Sequence, residues 1–370
     1  MKILMVTTGV SLMDGVNRHI TSVAPELNKR MGVEVAVLTE QPWGELCDVL
    51  KKCGVKVYAL GCPHGHALRL LPRVCRVMLE FKPDIVHVHV LPLMARIALS
   101  VFWRNKCRFV LTVHGIGDPV LRVTWRMRLE RLLNRLFPIH FDSVAYISNG
   151  VRRHCGGKGE VVYNPIEFDG VKPPCQIREE LGLDARTPLI GTACRFAAVK
   201  QPELFVEVMC RVLEDKKDAH ALLIGDGDAQ IKEKMREIQS RYHVDDRMHW
   251  LGCRPDASAV VGALDCFVMT SLREGLPTAL LEAMSAKVPI AFLKGEGGLE
   301  DLAEMNEREG PIAVVADDKD ALVSGIEGIL GNSPVSSTMA ERAFEVGKRH
   351  FDVQAVALKL EKFYCEVMSK

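Results

Sequence analysis

The 370 residues are 48% hydrophobic and 26% charged, ordinary globular proportions, and the length suits two domains with separate cores. The longest apolar run, DIVHVHVLPLMARIALSVFW (84–103), is broken by His, Pro and Arg, which excludes a bilayer span there. The net charge of +1 hides an asymmetry: residues 1–170 carry 23 Lys and Arg against 14 Asp and Glu, a net of +9, whereas 171–370 carry 25 against 33, a net of −8. A basic half joined to an acidic half predicts that the first half meets something anionic.

Taken in chain order, short β-branched runs alternate with longer helical periods. Met1-Lys2 leads directly into KILMVTT, a strand, so no signal peptide is predicted. Further strands are predicted at VEVAVLT, VKVYAL, DIVHVHV, RFVLTVH, DSVAYIS and EVVYN, with helices over 18–30, 68–81, 92–103 and 123–137. From 165 to 188 four prolines interrupt the pattern, as a linker would. It then restarts: PLIGTAC, helix 202–214, HALLIGD, helix 229–242, RMHWLG, helix 255–264, DCFVMTS, helix 278–286, PIAFLK and PIAVVAD, with a final amphipathic helix over 352–368. The alternation predicts an α/β protein of two Rossmann-like, doubly wound domains facing a cleft, residues 1–170 and 171–350, followed by a terminal segment 351–370. The twelve cysteines show no C-x-x-C and no Cys/His cluster at zinc spacing, which predicts free thiols in a reducing, cytoplasmic setting.

Several chemistries are disfavoured. After the first strand come only Gly9 and Gly15, so the G-x-G-x-x-G dinucleotide fingerprint is missing, and there is no Walker loop. Asp226-Gly227-Asp228 has the D-x-D spacing that can hold a divalent ion against a diphosphate; its plainer reading is a solvated turn after a strand.

The stretch SLREGLPTALLEAMSA (271–286) is more informative. DCFVMTS is a strand, LREGL a loop, and Pro277 suits the first turn of the next helix, whose free N–H groups can hold an anion. Glu274 and Glu282 flank that site and would repel a phosphate, unless each holds hydroxyls while the amides hold the phosphate. A nucleotide-sugar meets that description. Arg195 and Lys200, in the loop after the first strand of the second domain, are candidate counter-charges for its diphosphate.

These residues carry a family resemblance over nearly the whole chain. EGLPTALLEAMSAKVPI resembles the Glu-(seven residues)-Glu motif of retaining glycosyltransferases of the GT-B fold, family 4, and RFAAVKQPELFVE resembles their Arg-x4-Lys diphosphate motif. LLIGDGD is similar to their glycine turn, AYISNGVRR and VVYNPIE to the end of their first domain, and HFDVQAVALKLEKFY to the terminal helix that returns to it. The resemblance implies that the first domain binds the acceptor and the second the nucleotide-sugar. Glu274 would bind the donor sugar, with Gly275 and Leu276 close to sugar and phosphate, and Glu282 would bind the ribose. Arg195 and Lys200 would stabilise the leaving diphosphate without a metal or other cofactor. His114 in LTVHGIG matches the first-domain histidine near the donor sugar, and Gly15 matches a glycine of the loop facing the diphosphate. Two positions depart from the pattern: Asp14 precedes Gly15, and Glu296 in GEGG replaces a commonly uncharged residue.

The segment 118–141 holds five arginines against Asp118 and Glu130, with Leu121, Trp125, Leu129, Leu132 and Leu136 on one helical face. An amphipathic helix packed on its own sheet is one reading; a basic surface at 122–135 that docks on an anionic membrane is the other. No nucleic-acid recognition motif is present. The resulting expectation is a cytoplasmic enzyme, peripheral on the inner face of the plasma membrane, that moves a hexose from a nucleoside diphosphate, uridine favoured over guanosine, to a glycan or lipid-linked glycan of polysaccharide or lipopolysaccharide type. The alternatives are a nucleotide-sugar epimerase of the same fold and a non-catalytic sugar-nucleotide sensor.

Overall fold

A computed structural model describes residues 1–12, 14–62, 67–90, 106–116, 141–169 and 175–369. The expected helices 92–103 and 123–137, and with them the basic segment 122–135, lie outside the described residues. Contacts divide the chain into two units, one made of Met1–Pro165 with Val353–Lys370, the other of Ile166–Asp352. Residues 166–169 belong with the second unit for a visible reason. The Ile166 amide donates to the Phe351 carbonyl (2.8 Å), Ile166 bridges Asp352, and Phe168 stacks edge-on against Phe344.

The first unit is a parallel sheet of β1 (Lys2–Thr7), β2 (Glu34–Thr39), β3 (Lys56–Ala59), β4 (Ile85–Val88), β5 (Arg108–Val113), β6 (Ser143–Tyr146) and β7 (Glu160–Val161), in the order β3-β2-β1-β4-β5-β6-β7. β1 shows why its sequence is continuously apolar: both of its faces are covered. Ile3 and Met5 pack with the helix Gly15–Asn28 and the terminal helix Val353–Ser369, while Leu4 and Val6 pack on the other side with the helix Ala67–Phe81. The period-2 alternation of the strand thus feeds two cores.

The second unit repeats the architecture with β8 (Leu189–Ala193), β9 (His220–Ile224), β10 (Met248–Gly252), β11 (Cys266–Met269), β13 (Ile290–Leu293) and β15 (Val314–Ala316), in the order β10-β9-β8-β11-β13-β15. Two further strands, β12 (Arg273–Glu274) and β14 (Glu296–Gly297), pair only with each other. Strand order reverses between β1 and β4 in the first unit and between β8 and β11 in the second. Ligands of doubly wound sheets bind beyond the carboxyl ends of the strands at such switch points. All twelve cysteines are free thiols, and among the described residues no helix is long and apolar enough to cross a membrane.

Candidate functional site

At the second unit's switch point, the loops leaving β8 and β11 are stitched together by backbone. The Leu272 amide donates to the Val199 carbonyl (2.9 Å), and the Thr270 hydroxyl donates to the carbonyls of Gln201 (3.0 Å) and Lys200 (3.3 Å). A short 3-10 turn, Ala198–Lys200, and a left-handed Gln201 (φ 45°) complete the bend. Lys200 is thereby set against Glu274: its Nζ lies 2.5 Å from Glu274 Oε2. The Ser271 hydroxyl donates to the other oxygen, Glu274 Oε1 (2.8 Å). Both oxygens of a carboxylate that is only 9% exposed are therefore engaged, as a buried charge requires.

Arg195 emerges from the same loop, is exposed, and has no protein partner among the described residues. Two glycines of the LLIGDGD turn position its backbone. A Cβ at Gly225 (φ +135°) would collide with the Cys194 carbonyl, and one at Gly227 with the Phe196 carbonyl. The close approach lets Phe196 N donate to Asp226 O (2.9 Å) and Asp228 N donate to Phe196 O (2.9 Å). The two aspartates of this turn are committed elsewhere. Asp226 pairs with Lys232 (2.7 Å), which with the Gly227 amide holds its carboxyl below the ordinary range. Asp228 caps the helix Ala229–Gln239 by accepting from the Gln230 and Ile231 amides. Among the described residues no group of three His, Cys, Asp or Glu is placed to hold a metal ion.

The structure revises the local reading of 271–286. LREGL is not a free loop: Arg273 and Glu274 form β12, in parallel register with Glu296 and Gly297 of β14. Pro277 is the N-cap of the helix Thr278–Ser285 rather than a residue of its first turn. Glu282 lies on that helix and is half-buried, and Gly275 and Leu276 connect it to β12. Glu296, a departure from the family pattern, has a local role: it accepts from Arg273 Nε (2.6 Å) and pairs with Nη2 (2.5 Å). Gly298 lets the backbones close up, since a Cβ there would sit 2.7 Å from the Gly275 carbonyl. Ser271, Arg273 and Glu296 were not singled out as site residues by the sequence. The charge complementarity of R-E and G-E-G-G was a signal, but two-residue strands carry no periodicity to link them.

In the first unit, Gly15 is the first residue of the helix Gly15–Asn28, and a Cβ added there would meet nothing within 4 Å in this chain. Asp14, the other departure, has a local role as the exposed N-cap of this helix, accepting from the Val16 amide at 3.0 Å. His114, just beyond β5, belongs to a cluster with His19, His87 and His89. His89 Nδ1 and His114 Nε2 are 2.9 Å apart, and the rings of His87 and His89 are 4.1 Å apart. His87 bridges Tyr364 of the terminal helix (2.6 Å) and Thr112 (2.7 Å), and His19 Nδ1 lies 3.1 Å from Asn164 Oδ1. Burial pushes His19 down to about 4 and His87 to about 3, and it holds His89 and His114 well below the ordinary imidazole value, helped by their neighbours. Of the four, only His114 was predicted. The H-V-H alternation, which puts 87 and 89 on one face of a strand, could have suggested two more.

Residues 14–167 match the model of a glycosyl transferase 4-like domain, and residues 187–332 that of the glycosyl transferases group 1. Among curated relatives, the chain is 26% identical over 324 residues to the Vi polysaccharide biosynthesis protein VipC/TviE of Salmonella typhi, covering 80% of this chain but 54% of that protein, so it spans about half the length of that relative. It is 22% identical over 371 residues to the lipopolysaccharide core biosynthesis mannosyltransferase LpsB of Rhizobium meliloti, covering 95% of this chain and 99% of that one. Among solved structures, HepE of Anabaena, in complex with UDP and glucose, superposes with a TM-score of 0.78 at 19% identity, over 99% of this chain and 100% of that one. With two parallel-sheet units, a glutamate motif at the second switch point and family matches on both halves, the chain belongs to the group 1 glycosyltransferases of the GT-B fold.

Proposed function

We propose that the protein transfers a hexose, with retention of anomeric configuration, from a nucleoside diphosphate sugar to a hydroxyl of a glycan or glycolipid. The observation that carries the reading is the contact between Lys200 and Glu274 at the switch point of the second unit. A cation and a hydroxyl-binding carboxylate side by side suit the bond that breaks, between the diphosphate and the sugar. Glu274 holds donor-sugar hydroxyls, Lys200 and Arg195 take up the charge that grows on the diphosphate, and Glu282 holds the ribose. Gly15, Gly275 and Leu276 bring backbone close to the donor, and His114 contacts the transferred sugar. Attack from the face of the departing phosphate, which itself accepts the acceptor proton, gives retention. The chain then supplies positioning and charge.

Uridine is favoured over guanosine, in line with HepE, whose structure holds UDP and glucose. A polysaccharide or lipopolysaccharide acceptor is favoured by what VipC/TviE and LpsB are named for. Metal independence is supported by the commitment of Asp226 to Lys232 and of Asp228 to a helix N-terminus. A cytoplasmic location with peripheral membrane docking through 122–135 completes the reading. The test combines labelled UDP- and GDP-hexoses with a panel of glycan and glycolipid acceptors in excess EDTA, followed by determination of the product anomer. Retained transfer in EDTA supports the proposal. An epimerised donor, an unchanged donor, or activity that needs added manganese counts against it.

A further inference from the structure

The histidine cluster lies at the first unit's own switch point. His87 and His89 come from β4 and the residue after it, His114 from the residue after β5, and His19 from the second turn of the helix that follows β1. Ring centroids of His19, His89 and His114 form a near-equilateral triangle with edges of 5.2, 5.1 and 5.3 Å.

The hydrogen bonds determine where the protons sit. Asn164 Oδ1 can only accept, so His19 Nδ1 carries the hydrogen, and His19 Nε2 is a buried lone pair with no partner among the described residues. His89 Nε2 is likewise buried with no partner among the described residues, while its Nδ1 faces His114 Nε2. If His89 kept its proton on Nε2, a buried N–H would have no acceptor among them. With the proton on Nδ1, only a lone pair is left over, and orphaned buried N–H groups are the rarer kind. His89 Nδ1 is therefore the donor and His114 Nε2 the acceptor.

We propose that His19, His87 and His89 are positioning residues for His114: together they present it as a neutral imidazole whose single proton is on Nδ1, a hydrogen-bond donor to a sugar hydroxyl. The inference rests on the reading that His114 contacts the transferred sugar. His114 Nδ1 has no protein partner among the described residues. Among the described residues, the cluster's hydrogen-bond partners on the surrounding elements are Asn164, Thr112 and Tyr364, with no carboxylate among them. A proton on any one ring would be opposed by burial and by every other ring that shared the charge. Neutrality suits the chemistry, because glycosyl transfer builds positive charge on the anomeric carbon and an imidazolium beside it would raise the barrier. A neutral N–H orients a hydroxyl without adding charge.

The full-length protein with 15N-labelled histidine provides the test. Long-range 1H–15N correlation spectra distinguish Nδ1–H from Nε2–H and neutral from protonated rings. The expected result is Nδ1–H on His19, His89 and His114, all still neutral well below the ordinary imidazole value near 6.5. A His114 with its proton on Nε2, or one that titrates near 6.5, overturns the proposal without any variant being made. In kinetics, His89→Leu should lower kcat about tenfold, the weight of one positioning hydrogen bond, with the donor KM little changed. His89→Asn, whose amide can still donate to His114, should recover most of the loss; equal loss in both overturns the proposal. His19→Asn removes one of the rings that help to lower His114 but leaves its burial, so it should move the acid limb of the kcat profile upward in pH while keeping it below the ordinary imidazole value. His114→Ala tests the underlying reading separately: full transfer by that variant removes the sugar contact, whatever the tautomers prove to be.

Discussion

Lys200 and Glu274 pair with each other, so in the proposed reaction each would be the other's competitor for the donor. A diphosphate would have to draw Lys200 away from a carboxylate, and a sugar would have to replace the ammonium on Glu274 Oε2. Two variants pull this exchange apart. Lys200→Ala should lower kcat by on the order of 100-fold, more than it raises the donor KM, because the charge it meets grows during bond breaking. Glu274→Gln should also abolish most transfer, yet bind the free nucleoside diphosphate more tightly than wild type, since Lys200 is released from its resting partner. Calorimetric titration with UDP checks the second. Weaker UDP binding by Glu274→Gln would mean that the pair acts as a unit rather than as competitors. Ser271 keeps its hold on Oε1 in the lysine variant, so the carboxylate remains placed even without its cation.

The two-residue strands β12 and β14 are too short to matter as a sheet, and their value is as a clasp. Arg273 and Glu296 sit opposite each other in register, and the next pair, Glu274 with Gly297, fixes the carboxylate proposed to hold the donor sugar. An ion pair this exposed contributes on the order of 0–1 kcal/mol to stability. Removing it should barely shift the melting temperature but should loosen Glu274. Arg273→Ala and Glu296→Ala should each raise the donor KM several-fold, and the exchanged pair Arg273→Glu with Glu296→Arg should restore it. Single variants with the wild-type KM would show that the clasp is decorative. The main strands were legible from β-branched runs because buried parallel strands are apolar on both faces, as in Ile3–Val6 and Cys266–Met269. The clasp was not legible, since its partners lie 23 residues apart and share no period. The histidine cluster was hidden for a related reason. Positions 19, 87, 89 and 114 meet only because the sheet order sets β4 between β1 and β5. Lys200 and Glu274 were readable as members of one nucleotide-sugar constellation with Arg195 and Glu282, but the contact between them was not. Asp14 and Glu296 show the limit of reading charge against a pattern, for both are satisfied by neighbours close at hand.

At the scale of the whole molecule, residues 1–170 carry a net charge of +9 and the rest a net of −8. The basic stretch 122–135 carries much of the positive excess. Arg126→Glu with Arg131→Glu should weaken co-sedimentation with anionic vesicles, because each basic residue near such a surface contributes about 1 kcal/mol. Raising salt should mimic the variant, and donor hydrolysis should be unaffected. Equal binding by both forms, or by neither, would move the acceptor into solution. The path of the chain has a separate consequence, for the order of events during synthesis. The second unit is one continuous segment, 166–352, whereas the first is completed only by residues 353–370. Tyr364, fully buried, reaches back across 277 residues to His87. Synthesis therefore completes the second unit's segment before it adds the last helix of the first, which brings the apolar face of Val356, Leu360 and Phe363. The earlier-made half must wait for the later one, an inversion of the usual N-terminal-first order.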